Sequence, residues 1–132
     1  MERTLAIIKP DSVKKSVVGK IIDRIESEGF RIVEMRLVHL GRDEAAGFYA
    51  VHRTKGFFAD LVAFMSSGDS VVLLLERENA VSHWRSIMGA TDPAKAAPGT
   101  LRRQFGFSIE RNAVHGSDAR ETAAAEIGFF FK

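Results

Sequence analysis

The chain has 132 residues, 45% hydrophobic and 27% charged, which suits a single globular domain over residues 1–132 with a real core and excludes a disordered or membrane-embedded polypeptide. It contains no cysteine, so disulfides and thiolate metal sites are excluded. The formal net charge is only +2, spread over short pairs such as Lys14-Lys15 and Arg102-Arg103; a basic nucleic-acid arm is excluded, while a local phosphate clamp stays open.

The apolar run over residues 4–9, stopped by Pro10, predicts a buried strand. It is too short to span a membrane and Glu2 precedes it, so neither a signal peptide nor a membrane contact is expected, and the location expected is cytoplasmic. Val17, Val18, Ile21, Ile22 and Ile25 recur at helical spacing up to Gly29, a glycine that suits a helix end. Over residues 31–40, Val33, Met35 and Leu37 alternate with Glu34 and Arg36, which predicts a half-buried strand with the three apolar side chains inward. Residues 43–51 read as helical, and Phe57, Phe58, Leu61, Val62 and Met65 form a second amphipathic stripe closed by Ser66-Ser67-Gly68.

Residues 70–76 carry five consecutive apolar residues and predict a central strand, followed by a helix built on Ala80, Val81, Trp84, Ile87 and Met88. Between Gly89 and Phe107 the periodicity lapses around Pro93, Pro98 and Gly99, which predicts a long functional loop. A short last strand is expected around residues 109–114. Asp118 with Glu121 three residues on resembles a capping box for a final helix that turns Ala123, Ala124, Ile127 and Phe131 inward. Two β-α-β halves in this order predict an α+β fold of the ferredoxin-like type, a four-stranded antiparallel sheet with helices packed on one face.

His115 stands in Asn112-Ala113-Val114-His115-Gly116-Ser117-Asp118, directly before a glycine and a polar pair that opens a helix. Glycine lets the backbone approach a ligand, and amides opening a helix favour negative charge, so an anion such as phosphate fits there. A histidine that merely fills a loop fits the same residues. Neither a Walker A loop nor G-x-G-x-x-G is present, so any nucleotide must be held by another route. His39, His52 and His83 have no partner spacing for a metal site.

Six segments in order, Leu5-Ala6-Ile7-Ile8-Lys9-Pro10-Asp11, Gly47-Phe48-Tyr49-Ala50, Phe57-Phe58, Gly89-Ala90-Thr91-Asp92-Pro93-Ala94, Pro98-Gly99-Thr100-Leu101-Arg102 and the His115 segment, resemble the nucleoside diphosphate kinase family over nearly the whole chain. The resemblance implies a ping-pong transfer of the terminal phosphoryl group from a nucleoside triphosphate to His115 and then to a different nucleoside diphosphate. It implies attack by Nδ1 of His115, orientation of the ring by Glu126, a hydroxyl from Ser117 and a nearby phenol from Tyr49. For the phosphates it implies Lys9, Arg85, Arg102 and Thr91, with the long loop wrapping the nucleotide. Asn112 would meet the ribose hydroxyls and Phe57 the base, by stacking that tolerates every nucleobase. Read without the resemblance, Lys9 also fits an edge residue, Arg85 and Glu126 exposed helical charges, Ser117 a helix-start residue and Phe57 a core aromatic.

The family also implies Mg²⁺ arriving with the nucleotide phosphates rather than held in a protein cage, with Asp11 or Asp118 assisting at most through water. A homo-oligomer, tetramer or hexamer, is expected; nucleic acid is at most a secondary partner. The chain departs from the family pattern at Asp69-Ser70, where proline and valine are frequent, and at Arg77, where glycine is frequent. Those departures, and a C-terminus at Lys132 without a longer extension, are expected to bear on assembly rather than on the catalytic set.

Overall fold

The computed structural model describes residues 1–131; Lys132, the last residue of the expected domain, lies outside the described residues. Strand β1 (Glu2–Ile8) starts two residues earlier than the apolar pattern suggests and ends at Ile8, because Lys9 caps a short helix α1 (Pro10–Lys14) that the sequence reading omits. Proline at the first helical position costs no hydrogen bond and presets φ, which is what a five-residue helix needs to start. Helix α2 (Val18–Ser27) follows, with Ile21 and Ile25 fully buried, and leads into strand β2 (Arg31–His39).

After β2 come α3 (Arg42–Phe48), a 3₁₀ turn (Ala50–His52), α4 (Phe58–Met65), strand β3 (Asp69–Arg77) and helix α5 (Ala80–Met88). The stretch expected to be a plain loop holds a 3₁₀ turn (Pro93–Lys95) and a helix α6 (Leu101–Phe105), each started by a side chain: Asp92 Oδ1 accepts the Ala94 N–H and Thr100 Oγ1 the Arg103 N–H. Strand β4 (Val114–Gly116) and helix α7 (Arg120–Phe130) complete the chain.

The sheet order is β2-β3-β1-β4, with every pair antiparallel, as the ferredoxin-like expectation requires. The helices do not stay on one face, however. Ala6, Ile8, Val71, Leu73 and Leu75 face α2 and α5, while Leu5, Ile7, Val72 and Leu74 face α3, α4 and Phe131. Two covered faces account for the unbroken apolar runs in the central strands β1 and β3.

Three further expectations give way to tertiary geometry. A register shift between Ile32 and Glu34 on β2 moves the alternation, so Val33 and Val38 pack inward while Met35 and Leu37 are 49% and 67% exposed at the sheet edge. The last strand begins at Val114 rather than near residue 109, because Phe107 and Ser108 both donate to the Arg111 carbonyl and close that stretch on itself. Helix α7 starts at Arg120, and its capping side chain is Thr122, whose Oγ1 accepts the Ala119 N–H at 2.9 Å; Asp118 instead pairs with Arg85, and Ala124 is exposed.

Arg77 is used inside the chain. Its guanidinium donates to the Glu28 and Glu78 carbonyls and lies over the Phe30 ring at 5.5 Å. Asp69 faces His39 Nδ1 at 3.4 Å, and Ser70 is buried on β3.

Candidate active site

His115 sits in the middle of β4, opposite Ile7 of β1. The alternation of the strand sends its ring to the face of the sheet covered by α3 and α7 and sends Gly116 to the face covered by α5. A Cβ at Gly116 would lie 2.5 Å from Trp84 Cδ1 and 2.6 Å from Met88 Cε, so this glycine makes room for α5, not for a ligand as expected. Trp84 Nε1 donates to the His115 carbonyl at 3.1 Å, which ties the strand to the buried indole.

The imidazole is anchored at one nitrogen. Nε2 lies 2.8 Å from Glu126 Oε1, and the same oxygen accepts from Ser117 Oγ at 2.9 Å. Helix α7 turns back over β4 and brings Glu126 to the ring, so the carboxylate fixes Nε2 as the protonated nitrogen and leaves the Nδ1 lone pair free. Nδ1 has no hydrogen-bond partner among the described residues, and the side chain is 19% exposed. Phe48 and Tyr49 meet the ring edge-on, at centroid distances of 5.3 and 6.0 Å. Burial, with the Glu126 charge adding to it, raises the Tyr49 phenol well above its ordinary range, so it stays protonated.

The cations expected for phosphate binding are drawn in by hydrogen bonds. Lys9 is 5% exposed, and its Nζ donates to Asn112 Oδ1 at 2.9 Å and to the Glu110 carbonyl at 3.0 Å. Burial lowers its pKa to about 8; the Asp11 carboxylate opposes that shift and the Arg102 charge adds to it. Asn112 Nδ2 donates to the Thr91 carbonyl at 3.0 Å, joining Lys9, Asn112 and Thr91 in one chain of contacts. Arg102 donates to the Gly89 and Val114 carbonyls at 3.1 and 3.0 Å, while its buried Nε–H has no partner. Burial, and secondly the nearby Arg85 charge, lower the Arg102 pKa to about 10. Arg85 is exposed and pairs with Asp118 at 2.6 Å.

His115, Glu126, Ser117 and Tyr49 are therefore one cluster, and Lys9, Asn112 and Thr91 a second, with Arg102 bonded to the residue before His115. Phe57 stands outside both, 49% exposed at the start of α4 beside His52 and Lys55. That exposure removes the core reading of this aromatic. The amides following His115 are partly engaged, since Ser117 N–H donates to the Leu5 carbonyl and Ala119 N–H to Thr122, so side chains supply most of the positive charge here. Asp11 is buried and accepts the Ala113 N–H at 3.0 Å, a structural contact.

Sequence reasoning passed over Phe48, Trp84 and Phe64. Phe64 is the ring beneath both Lys9 Nζ, at 5.5 Å, and the Arg111 guanidinium, at 5.4 Å. Phe48 lies inside a quoted segment and could have been found there; Trp84 reads as core, which carries no signal of what it touches, and Phe64 falls outside the stripe that the helical spacing picks out. Of two cavities, one of about 260 Å³ against α2 and α6 lies away from these residues, and one of about 420 Å³ between α1 and Phe107 is lined by Asp11, Phe64 and Arg111 but not by His115.

A family model described as nucleoside diphosphate kinase matches residues 2–132. The nucleoside diphosphate kinase of Geotalea uraniireducens is 57% identical over 131 residues, covering 99% of this chain and 96% of that protein. That of Nitratiruptor sp. is 59% identical with the same coverage. The crystal structure of the Aquifex aeolicus nucleoside diphosphate kinase superposes with a TM-score of 0.97 at 46% identity, covering 99% of this chain and 95% of that one. The Encephalitozoon cuniculi enzyme superposes at 0.96 and 34% identity, covering 99% and 89%. Similarity of this extent in sequence and in backbone, carried over an arrangement that leaves one nitrogen of His115 free, means that the chain belongs to the nucleoside diphosphate kinase family.

Proposed function

We propose that His115 Nδ1 takes the terminal phosphoryl group of a nucleoside triphosphate and passes it to a second nucleoside diphosphate. The observation that carries this reading is the 2.8 Å contact between Nε2 and Glu126, which leaves Nδ1 as the nucleophilic nitrogen. In the first half-reaction the Nδ1 lone pair forms the P–N bond as the P–O bond to the diphosphate breaks. Positive charge that develops on the ring is stabilised by Glu126, itself held by Ser117. In the second, a terminal oxygen of another diphosphate attacks phosphorus and the electron pair returns to Nδ1. Splitting the transfer in this way lets one site serve both nucleotides in turn.

Phosphoryl transfer asks mainly for positioning and charge neutralisation. Lys9, Arg85 and Arg102, with the Thr91 hydroxyl, supply it. Asn112 meets the ribose, and Phe57, exposed on one side, offers a face on which any base stacks, so base discrimination is weak. Tyr49 packs the protonated phenol against the ring of His115.

The oxygen-rich phosphates of the nucleotide suit Mg²⁺, and among the described residues no group of three or more His, Cys, Asp and Glu side chains gathers as a cage for it. Asp118, exposed and paired with Arg85, is the carboxylate that fits a water-mediated contact to such an ion. When bound, Mg²⁺ would neutralise phosphate charge.

The exposed Met35 and Leu37 on edge strand β2 support self-association into a homo-oligomer, which sedimentation measures directly. No helix among the described residues is long and apolar enough to cross a membrane, and a cytoplasmic enzyme is our reading. The decisive experiment incubates the protein with γ-labelled triphosphate and Mg²⁺. An acid-labile, base-stable phosphoprotein that disappears in His115→Ala is expected; label persisting in that variant rejects the mechanism.

A further inference from the structure

Ala113 is held in a backbone conformation that an alanine rarely adopts. Its φ is +76°, and the Val114 N–H donates to the Asn112 carbonyl at 2.9 Å, which closes a three-residue γ-turn of the strained, positive-φ kind centred on Ala113. Such strain persists only where the surroundings over-determine it. Here the surroundings are three residues, Lys9, Asp11 and Ser12, about a hundred positions away. Asp11 Oδ2 accepts the Ala113 N–H at 3.0 Å, while the Lys9 N–H and Ser12 Oγ–H donate to the Ala113 carbonyl at 2.9 and 3.0 Å.

Both polar groups of the strained residue are thus taken by the start of α1, and of these contacts only that of Asp11 engages its N–H. The turn matters because of what flanks it. Asn112 on one side is bonded to Lys9 and Thr91; Val114 on the other is bonded to Arg102, and His115 comes next. Relaxing Ala113 to negative φ would rotate the Asn112 side chain and the β4 strand relative to one another.

We propose that Asp11 is a positioning residue for phosphoryl transfer: by accepting the Ala113 N–H it holds the strained turn that aims Asn112 and His115 into one cleft. This rests on the reading of His115 as phosphoryl acceptor. The Asp11 charge also opposes the loss of the Lys9 proton, so the same carboxylate serves a cation of the cleft as well as its turn.

The test combines Asp11→Ala, Asp11→Asn and Ala113→Gly, alone and together, with rapid-quench measurement of phosphohistidine formation across triphosphate concentration and with thermal unfolding. Glycine adopts positive φ without strain, so it should relieve the dependence on Asp11. Asp11→Ala is expected to slow phosphorylation at saturating triphosphate by about 10²-fold, the scale of an ångström-level misplacement. Asp11→Asn, which keeps an acceptor, should stay within roughly 3-fold of the parent, and Asp11→Ala combined with Ala113→Gly should regain most of the loss. A carboxylate serving only global stability would lower the unfolding temperature and leave the saturating rate of the folded protein unchanged. That result overturns the proposal, as does a loss of equal size whether residue 113 is alanine or glycine.

Should Asp11→Ala not fold, Asp11→Leu, which fills the site without an acceptor, takes its place: its rate ratio to the parent must move toward one when residue 113 is glycine, and equal ratios in the two backgrounds overturn the proposal. His115→Ala separates the two readings. Its loss of label together with a full rate in Asp11→Ala removes Asp11 and leaves the kinase reading standing, whereas label retained in His115→Ala removes the kinase reading itself.

Discussion

Gly116→Ala adds one methyl group at a position exposed to neither solvent nor ligand, and the structure states what that methyl meets. Its Cβ would lie 2.5 and 2.8 Å from Trp84 Cδ1 and Nε1 and 2.6 Å from Met88 Cε. Met88 can swing its terminal methyl aside at small cost. Trp84 cannot, because it is fully buried among Phe30, Leu101 and the sheet, and its indole N–H is committed to the His115 carbonyl. Overpacking a core by one methylene-sized group costs about 1–3 kcal/mol, and losing a buried hydrogen bond costs about 1 kcal/mol more. The expected destabilisation is therefore about 2–4 kcal/mol, read as a lower urea midpoint at fixed protein concentration. Because β4 must retreat from α5, His115 moves with it, and the folded variant should also phosphorylate at least about 10-fold more slowly. Adding Met88→Ala should not rescue it, for the indole clash stays. A midpoint within about 0.5 kcal/mol of the parent, or full rescue by Met88→Ala, refutes the argument that Trp84 fixes the strand that carries His115.

Three more perturbations separate binding from folding. Lys9 has a folded pKa of about 8 against an ordinary unfolded value near 10.4, so the folded state releases the proton first. The cost of burying the cation, about 3 kcal/mol at most, is present below pH 8 and relieved as pH rises toward 10, so that stability rises over this window relative to a Lys9→Met reference. Catalysis should run the other way, with kcat/KM for the triphosphate falling above pH 8; Asp11, Arg102 and Glu110 are the charges that face Lys9, and Lys9→Arg should move the fall beyond pH 10. Arg102→Gln leaves the Gly89 and Val114 carbonyls short of donors, which predicts about 2–4 kcal/mol of lost stability by urea titration alongside a raised KM; an unchanged midpoint would show those carbonyls find other donors. Phe57→Ala, at a half-exposed ring, should change stability by no more than about 0.5 kcal/mol and raise KM by roughly 5- to 150-fold for purine and pyrimidine nucleotides alike, and a base-selective or purely destabilising effect contradicts stacking.

The parts of the fold legible in the sequence are those in which burial sets the residue type. The central strands, α2, α4 and α5 all announce themselves by period, because their side chains face a core that repeats with the helix or the pleat. Period fails where a contact rather than burial decides. On β2 a single slip between Ile32 and Glu34 puts Met35 and Leu37 in solvent, and nothing local encodes that slip, since it lies in the pairing with β3. The short helices α1 and α6 fail for a related reason: one turn is too brief for a stripe, and what starts them is Pro10 in one case and the Thr100 hydroxyl in the other.

The candidate site is the extreme of this contrast. Lys9 with Asn112 and Asp11 with Ala113 join residues more than a hundred positions apart, and Arg102 spends two donors on main-chain carbonyls that no side-chain pattern can reveal. Gly116 is required by an indole on another helix, and Ala113 by a carboxylate at the far end of the chain. Such residues show as fixed motifs because each is chosen by one partner and not by a repeating environment; the motif could name the chemistry of His115, but which nitrogen stays free is settled only when α7 brings Glu126 to the other. The same separation explains why disturbing β4 at Gly116 and disturbing α1 at Asp11 should reach one rate: both act on the three-residue strand from opposite ends, and neither touches the phosphate.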